Sequence, residues 1–118
     1  MKRLREKGET VIKVSILYLK KAGTHFDENY YLNTHMPMTV KLLGPAIKAL
    51  SVEIGISGAM PDQPPPYWAI VGFTCESIQA FTDAFQPHAS VLQGDIPNYT
   101  DAEMQVQISQ LRDIEPSR

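Results

Sequence analysis

The chain has 118 residues, a formal net charge of −2 from 11 Lys and Arg against 13 Asp and Glu, and one cysteine. That length supplies a single hydrophobic core and excludes a second domain. With no basic block beyond Lys2 to Lys7 there is no row of cations for phosphates, which argues against nucleic acid, and one thiol excludes an internal disulfide and a thiolate-rich metal cluster. The basic start lacks the apolar run and small-residue cleavage site of a secretory signal, and no apolar stretch approaches the ~20 residues that span a bilayer. The expectation is a soluble, cytoplasmic protein with no membrane partner.

Met1 to Thr10 is charged and without period and reads as a mobile tail. Val11 to Leu19 alternates Ile12, Val14, Ile16 and Tyr18 with Val11, Lys13, Ser15 and Leu17, which predicts a strand with one drier face. After a loop from Lys20 to His25, Asp27 is a good N-cap and Glu28 sits favourably at the positive end of a helix dipole. Tyr31 and His35, four apart, share a face of that helix, and Pro37 removes the hydrogen bond that would return to Asn33, so a bend is expected beside the imidazole. Met38, Leu42 and Leu43 continue the pattern to a stop at Gly44-Pro45.

Ala46 to Ile56 alternates and predicts a second strand. Gly58 to Pro66, with four prolines, is a surface loop and a candidate rim. Tyr67 to Cys75 is apolar and nearly continuous, as a strand covered on both sides would be. Ser77 caps a second helix whose stripe is Ile78, Phe81, Phe85, His88 and Leu92, with Pro87 breaking the ladder one residue before His88. Gln93 to Thr100 is loop. Ala102 to Leu111 sets Met104, Val106 and Ile108 against Glu103, Gln105, Gln107 and Ser109, a fourth strand with a wholly polar face.

The order β-α-β-β-α-β is that of an α+β, ferredoxin-like domain, a four-stranded antiparallel sheet with two helices on one face, here over residues 11–112 with tails at 1–10 and 113–118. The second and third strands look too apolar on both sides to leave one in water. A second copy laid face to face would then close a two-sheet barrel around a cavity, with the polar row of the last strand lining that cavity or its edge. A homodimer is the expectation.

Chemistry has few candidates. An unperturbed imidazole, with a pKa of ~6.5, both gives and takes a proton near neutrality, which suits His35 at its bend to general acid or base work; the plainer reading is a side chain tying off carbonyls freed by Pro37. His88 offers the same chemistry or is a core histidine, and Asp95, in the loop after the same helix, orients an imidazole or caps backbone. His25 reads as a solvated loop residue, and Cys75, with no cationic neighbour in sequence, as a small apolar packer. Tyr18, Tyr31, Trp68, Phe85 and Tyr99 supply aromatic surface that suits a flat apolar ligand. No metal-ligand spacing, phosphate loop, Gly-x-Gly-x-x-Gly or Gly-x-Ser-x-Gly is present, so neither metal nor cofactor is expected.

Phe26-Asp27-x-x-Tyr30-Tyr31-Leu32-x-x-His35-Met36-Pro37, followed by Leu42-Leu43-Gly44-Pro45, Pro65-Pro66-Tyr67, Phe85-x-Pro87-His88-Ala89 and Gly94-Asp95-Ile96-Pro97-Asn98-Tyr99-Thr100, resembles the EthD family, related to dimeric α/β-barrel proteins. The resemblance runs from about Val11 to about Leu111. It implies the ferredoxin-like fold and the homodimer, and it places the histidine of the His-x-Pro segment, His35, in the cavity. It also implies small-molecule catabolism or secondary metabolism, for which the first reading is a cofactor-independent lyase, isomerase or monooxygenase-type enzyme acting on a small apolar carbonyl or aromatic compound. The alternatives are a non-catalytic protein holding such a compound for a partner oxygenase, and haem binding with His35 or His88 as axial ligand.

Overall fold

The computed structural model describes residues 11–116; the tail expected at 1–10, and residues 117 and 118 of the tail expected at 113–118, lie outside the described residues. Four strands, β1 (Ile12–Leu19), β2 (Ala49–Ile54), β3 (Tyr67–Cys75) and β4 (Met104–Gln110), form one sheet in the order β2-β3-β1-β4. Every neighbouring pair is antiparallel. This is the ferredoxin-like arrangement that the element order implies.

Register turns the alternation of the strands into two unlike faces. On one, the cross-strand rows are Ile108-Val14-Phe73-Leu50, Val106-Ile16-Val71-Val52 and Met104-Tyr18-Ala69-Ile54. The helices cover this face, where Tyr31, Met36, Leu43 and Leu92 share a core with Val14, Val71 and Phe73. Each of these large side chains contributes roughly 1.5–3 kcal/mol by leaving water. On the other face the rows are Gln107-Ser15-Gly72-Ser51 and Gln105-Leu17-Ile70-Glu53. The expectation that β2 and β3 are apolar on both sides is therefore corrected: only Leu17 and Ile70 are large and apolar at the centre of the second face, while β2 turns Ser51 and Glu53 outward. The side chain of Lys13 lies across Gly72 where a Cβ would stand, so a larger residue there would displace the end of that flexible lysine.

The first helical segment opens as predicted. Asp27 is the N-cap and its carboxylate accepts from the Tyr30 N–H at 3.0 Å. The expected bend at Pro37 is not a break. Backbone dihedrals stay right-handed helical through His35 and Met36, and α1 (Glu28–Tyr30) runs through a π-helical turn (Tyr31–His35) into α2 (Met36–Leu43). The Met36 N–H reaches back five residues to the Tyr31 carbonyl, so the helix meets the proline through a widened turn and continues past it. It stops at Gly44, whose φ of +62° only glycine adopts freely.

A 3-10 turn at Gly44–Ala46 delays β2, which begins at Ala49 and not at Ala46. Ser77 caps α3 (Ile78–Phe85) by accepting from the Ala80 N–H at 3.0 Å. Pro87 sits in a 3-10 turn, Gln86–His88, before α4 (Ala89–Gly94), and a further 3-10 turn follows at Ile96–Asn98. That last loop is stitched to the start of α1: the Asp27 N–H donates to the Tyr99 carbonyl at 2.7 Å and Phe26 bridges Thr100. Cys75 is wholly buried, and burial pushes its thiol pKa up, in keeping with an apolar packer.

Candidate active site

A cavity of about 220 Å³ lies between the helices and the helix-covered face of the sheet, within one chain. It is a different space from the cavity expected between the sheets of two copies. The polar row of β4 does not line it; Met104 and Val106 do, because the pleat that turns them inward turns Gln105 and Gln107 out. Most of the wall is aliphatic or aromatic, with Ile16, Met36, Phe73, Phe81, Phe85 and Leu92 among its residues. The polar side chains reaching it are Tyr18, Tyr31, His35, Thr39, Gln93 and Tyr99.

The π-helical turn carries two of these. Tyr31 and His35 lie on its buried face with their rings stacked, centroids 5.4 Å apart and planes 19° from parallel. The imidazole has a partner from the far end of the chain, Nδ1 lying 2.9 Å from Oδ2 of Asp95. Both side chains are largely buried, 7% and 13% exposed. Asp95 is held in turn by Tyr30, whose hydroxyl donates to Oδ1 at 2.6 Å, and by Asn98, whose amide donates to the same oxygen at 2.9 Å. Partial desolvation pushes the Asp95 carboxyl upward, but these donors and His35 together hold it below the usual carboxylate value.

An ionised carboxylate only accepts, so Nδ1 carries a proton, and in the neutral imidazole Nε2 then carries the lone pair. Nε2 has no hydrogen-bond partner among the described residues. The plainer reading of His35, in which it satisfies carbonyls freed by Pro37, does not match this pairing. The carbonyl of His35 itself is served by Thr39 Oγ1 at 2.8 Å.

Three buried phenols meet beside the imidazole. The Tyr18 hydroxyl is 2.9 Å from that of Tyr99 and 3.3 Å from that of Tyr31. The His35 and Tyr99 rings are 4.6 Å apart. Burial raises the pKa of all three phenols, so they stay neutral through ordinary pH.

Of the residues singled out in the sequence, the fold brings together His35, Asp95, Tyr18, Tyr31, Tyr99 and Phe85. Two candidates are left out. His88 ends a tighter 3-10 turn at φ −117°, ψ 6°, which rotates it off the stripe that Phe85 and Leu92 continue. Trp68 is the extra residue of a β-bulge, since Tyr18 pairs with Ala69 and Leu19 with Tyr67. Its indole N–H donates to Thr24 at 3.0 Å with Lys20 over the ring, away from the cavity. His25 is exposed and pairs with Asp101 at 3.2 Å. Tyr30, Asn98, Thr39 and Gln93 were not foreseen; Asn98, three residues after Asp95 in a turn, was the one with a signal in the sequence. Among the described residues no group of three or more His, Cys, Asp or Glu side chains is placed to hold a metal ion, and no helix is long and apolar enough to cross a membrane.

A four-stranded antiparallel sheet with its helices on one face, and a mainly apolar cavity between the two layers, define a ferredoxin-like α+β protein. The chain belongs to the EthD family: the EthD domain matches residues 24–103. An EthD-like protein from Ralstonia eutropha JMP134 is 39% identical and superposes with a TM-score of 0.81 over 86% of this chain and 91% of that one. Two more distant structures share the fold. A DABB family protein with a ferredoxin-like fold from Mesorhizobium loti is 12% identical with a TM-score of 0.52, over 90% and 99% of the two chains. SnoaB, a cofactor-independent oxygenase from Streptomyces nogalater, is 14% identical with a TM-score of 0.50, over 93% and 100%. No curated protein matches the chain significantly.

Proposed function

We propose that this EthD protein is a cofactor-independent enzyme of small-molecule metabolism in which Nε2 of His35 removes a proton from a small, largely apolar carbonyl or aromatic compound held in the cavity. The observation that carries the proposal is the pairing of His35 Nδ1 with the buried Asp95 carboxylate at 2.9 Å, which leaves the basic nitrogen unpartnered in a mainly apolar cavity. Asp95 keeps the imidazole in the tautomer with its lone pair on Nε2, and stabilises the imidazolium that forms when the proton arrives. The proton is then returned to another carbon in an isomerisation, or leaves with a departing group in a lyase reaction. A cofactorless oxygenation, the activity named for SnoaB, would begin with the same deprotonation.

Cavity size sets the scale of the compound. An apolar protein cavity of about 150 Å³ holds one benzene, so about 220 Å³ suits one ring with substituents, or two small rings. A non-catalytic carrier would have no use for a base fixed in one tautomer, and this is what favours the enzyme. The protein also acts as a homodimer, pairing through the sheet face where Leu17 and Ile70 lie uncovered by helices.

The test is deuterium incorporation next to the carbonyl of small cyclic and aromatic ketones in D₂O, followed by NMR. The wild type should exchange at least one of them faster than His35→Gln does. Equal rates for every ketone would sink the proton-transfer role, and retention of an apolar compound through purification, read by mass spectrometry, would then favour the carrier.

A further inference from the structure

The three phenols beside His35 hold more protons than they use. Tyr31 is wholly buried, 0% exposed, and its hydroxyl has Tyr18 as its one hydrogen-bond partner among the described residues. Across that bond either oxygen donates. Between Tyr18 and Tyr99, 2.9 Å apart, a single hydrogen bond forms and either oxygen donates. Two bonds thus consume two of three protons. The third remains on one of the three phenols, with no acceptor among the described residues, and all three side chains line the cavity. An O–H donor left unmatched in a buried place is costly unless something supplies the acceptor.

No other neutral donor in the cavity has this character. The Thr39 hydroxyl proton goes to the His35 carbonyl, and His35 presents a lone pair. Gln93 is exposed, at the end of α4. Tyr99 is the phenol whose ring touches His35 most closely, at 4.6 Å against 5.4 Å for Tyr31.

We infer that the cluster of Tyr18, Tyr31 and Tyr99 is an oxygen-recognition subsite that donates the surplus phenolic proton to a carbonyl or phenolic oxygen of the ligand, next to the atom that His35 deprotonates. Removal of a proton beside a carbonyl drives negative charge onto that oxygen, and a preorganised O–H in a water-poor cavity stabilises it most when the charge has formed. The ligand class narrows accordingly. It is a small ring compound with an enolisable ketone or a phenol, not a hydrocarbon or an ether, since those offer no oxygen on which such charge can develop. The inference rests on the reading of His35 as base, and the two are tested apart by giving each its own variant.

Two probes decide it. 4-Nitrophenol can give its proton to Nε2 while its oxygen accepts from the phenol cluster, and its ionisation is read from the visible band of the phenolate. The triple variant Tyr18→Phe/Tyr31→Phe/Tyr99→Phe, which removes every phenolic proton, should lower the ionisation constant of the bound probe about ten- to hundredfold. Tyr31→Phe removes one bond and one proton together, leaves the surplus intact, and should stay within about twofold of wild type. His35→Gln should abolish ionisation whether or not the phenols act. The second probe, acetophenone bound to the unaltered protein, needs no variant to fold: its carbonyl stretch should fall to lower frequency than in hexane, and should do so in His35→Gln as well. An unshifted stretch, a shift lost in Gln93→Leu, or equal ionisation in the wild type and the triple variant would each overturn the subsite, while leaving the role of His35 to be judged by His35→Gln alone.

Discussion

Asp95→Asn separates holding the imidazole from charging it. Oδ1 accepts two hydrogen bonds, from Tyr30 and Asn98, and Oδ2 accepts one, from His35. An asparagine keeps two of the three by placing its oxygen at the Oδ1 position, which puts its NH₂ against Nδ1. The imidazole then accepts there and moves its proton to Nε2, so the base is lost while the contacts survive. Exchanging charge-assisted bonds for neutral ones should cost about 1–2 kcal/mol and lower the melting temperature by several degrees. The equivalent tautomer error in hydrolase triads reduces turnover about 10⁴-fold, so proton exchange into a bound ketone should fall to the level of His35→Gln. The decisive assay needs no substrate. Nitrogen-15 NMR of the imidazole, at a pH above its titration, should show a protonated Nδ1 and a bare Nε2 in the wild type, exchanged in Asp95→Asn. A wild-type His35 protonated at Nε2 would refute the reasoning at its root, whatever the activity of the variant.

The depressed Asp95 carboxyl and the raised phenols bracket the pH range of stability. A group with a lowered folded pKa contributes stability that is present above its unfolded value of ~3.9 and is lost as pH falls through the folded one, so acid unfolding should be less steep in Asp95→Asn, read by circular dichroism. For Tyr18, Tyr31 and Tyr99, whose folded pKa values are raised, the contribution is full below ~10 and is lost as pH rises; phenolate absorbance from these three should appear only together with unfolding, and phenolate absorbance traced to any of them in the folded protein would contradict the buried cluster. His88→Ala and Trp68→Phe, which alter residues outside the cavity, should leave binding of 4-nitrophenol within about twofold of wild type, since no contact with the ligand is removed; a tenfold loss in either would show that the cavity extends to them. Light scattering should give twice the 13.2 kDa chain mass, and Ile70→Glu, which would bury a charge between the sheets, should return the monomer.

Much of the architecture was legible in the sequence because it rests on local rules. Alternation over Val11 to Leu19 and the apolar run over Tyr67 to Cys75 give strands at Ile12–Leu19 and Tyr67–Cys75, and the caps at Asp27, Ser77 and Gly44 bound the helices where a side-chain oxygen or a free φ is required. His35 and Asp95 were legible as separate candidates, one by its place before Pro37 and the other by its loop. That they meet was not, because sixty positions separate them and no spacing rule reaches that far. Tertiary structure alone decided which side of the sheet holds the cavity: the polar row of β4 is as visible in the sequence as its apolar row, and only the covering of one face by helices determines which of the two is inside. Periodicity also misplaced His88, and nothing in the sequence marked where Trp68 points. A 3-10 turn changes the angle per residue and a bulge inserts a residue into a strand, and both devices alter where a side chain points without altering the pattern of residue types. The surplus phenolic proton belongs to the same class of fact. Three tyrosines from β1, the π-helical turn and the last loop count as three ordinary aromatics until packing brings their oxygens together and leaves one proton without an acceptor.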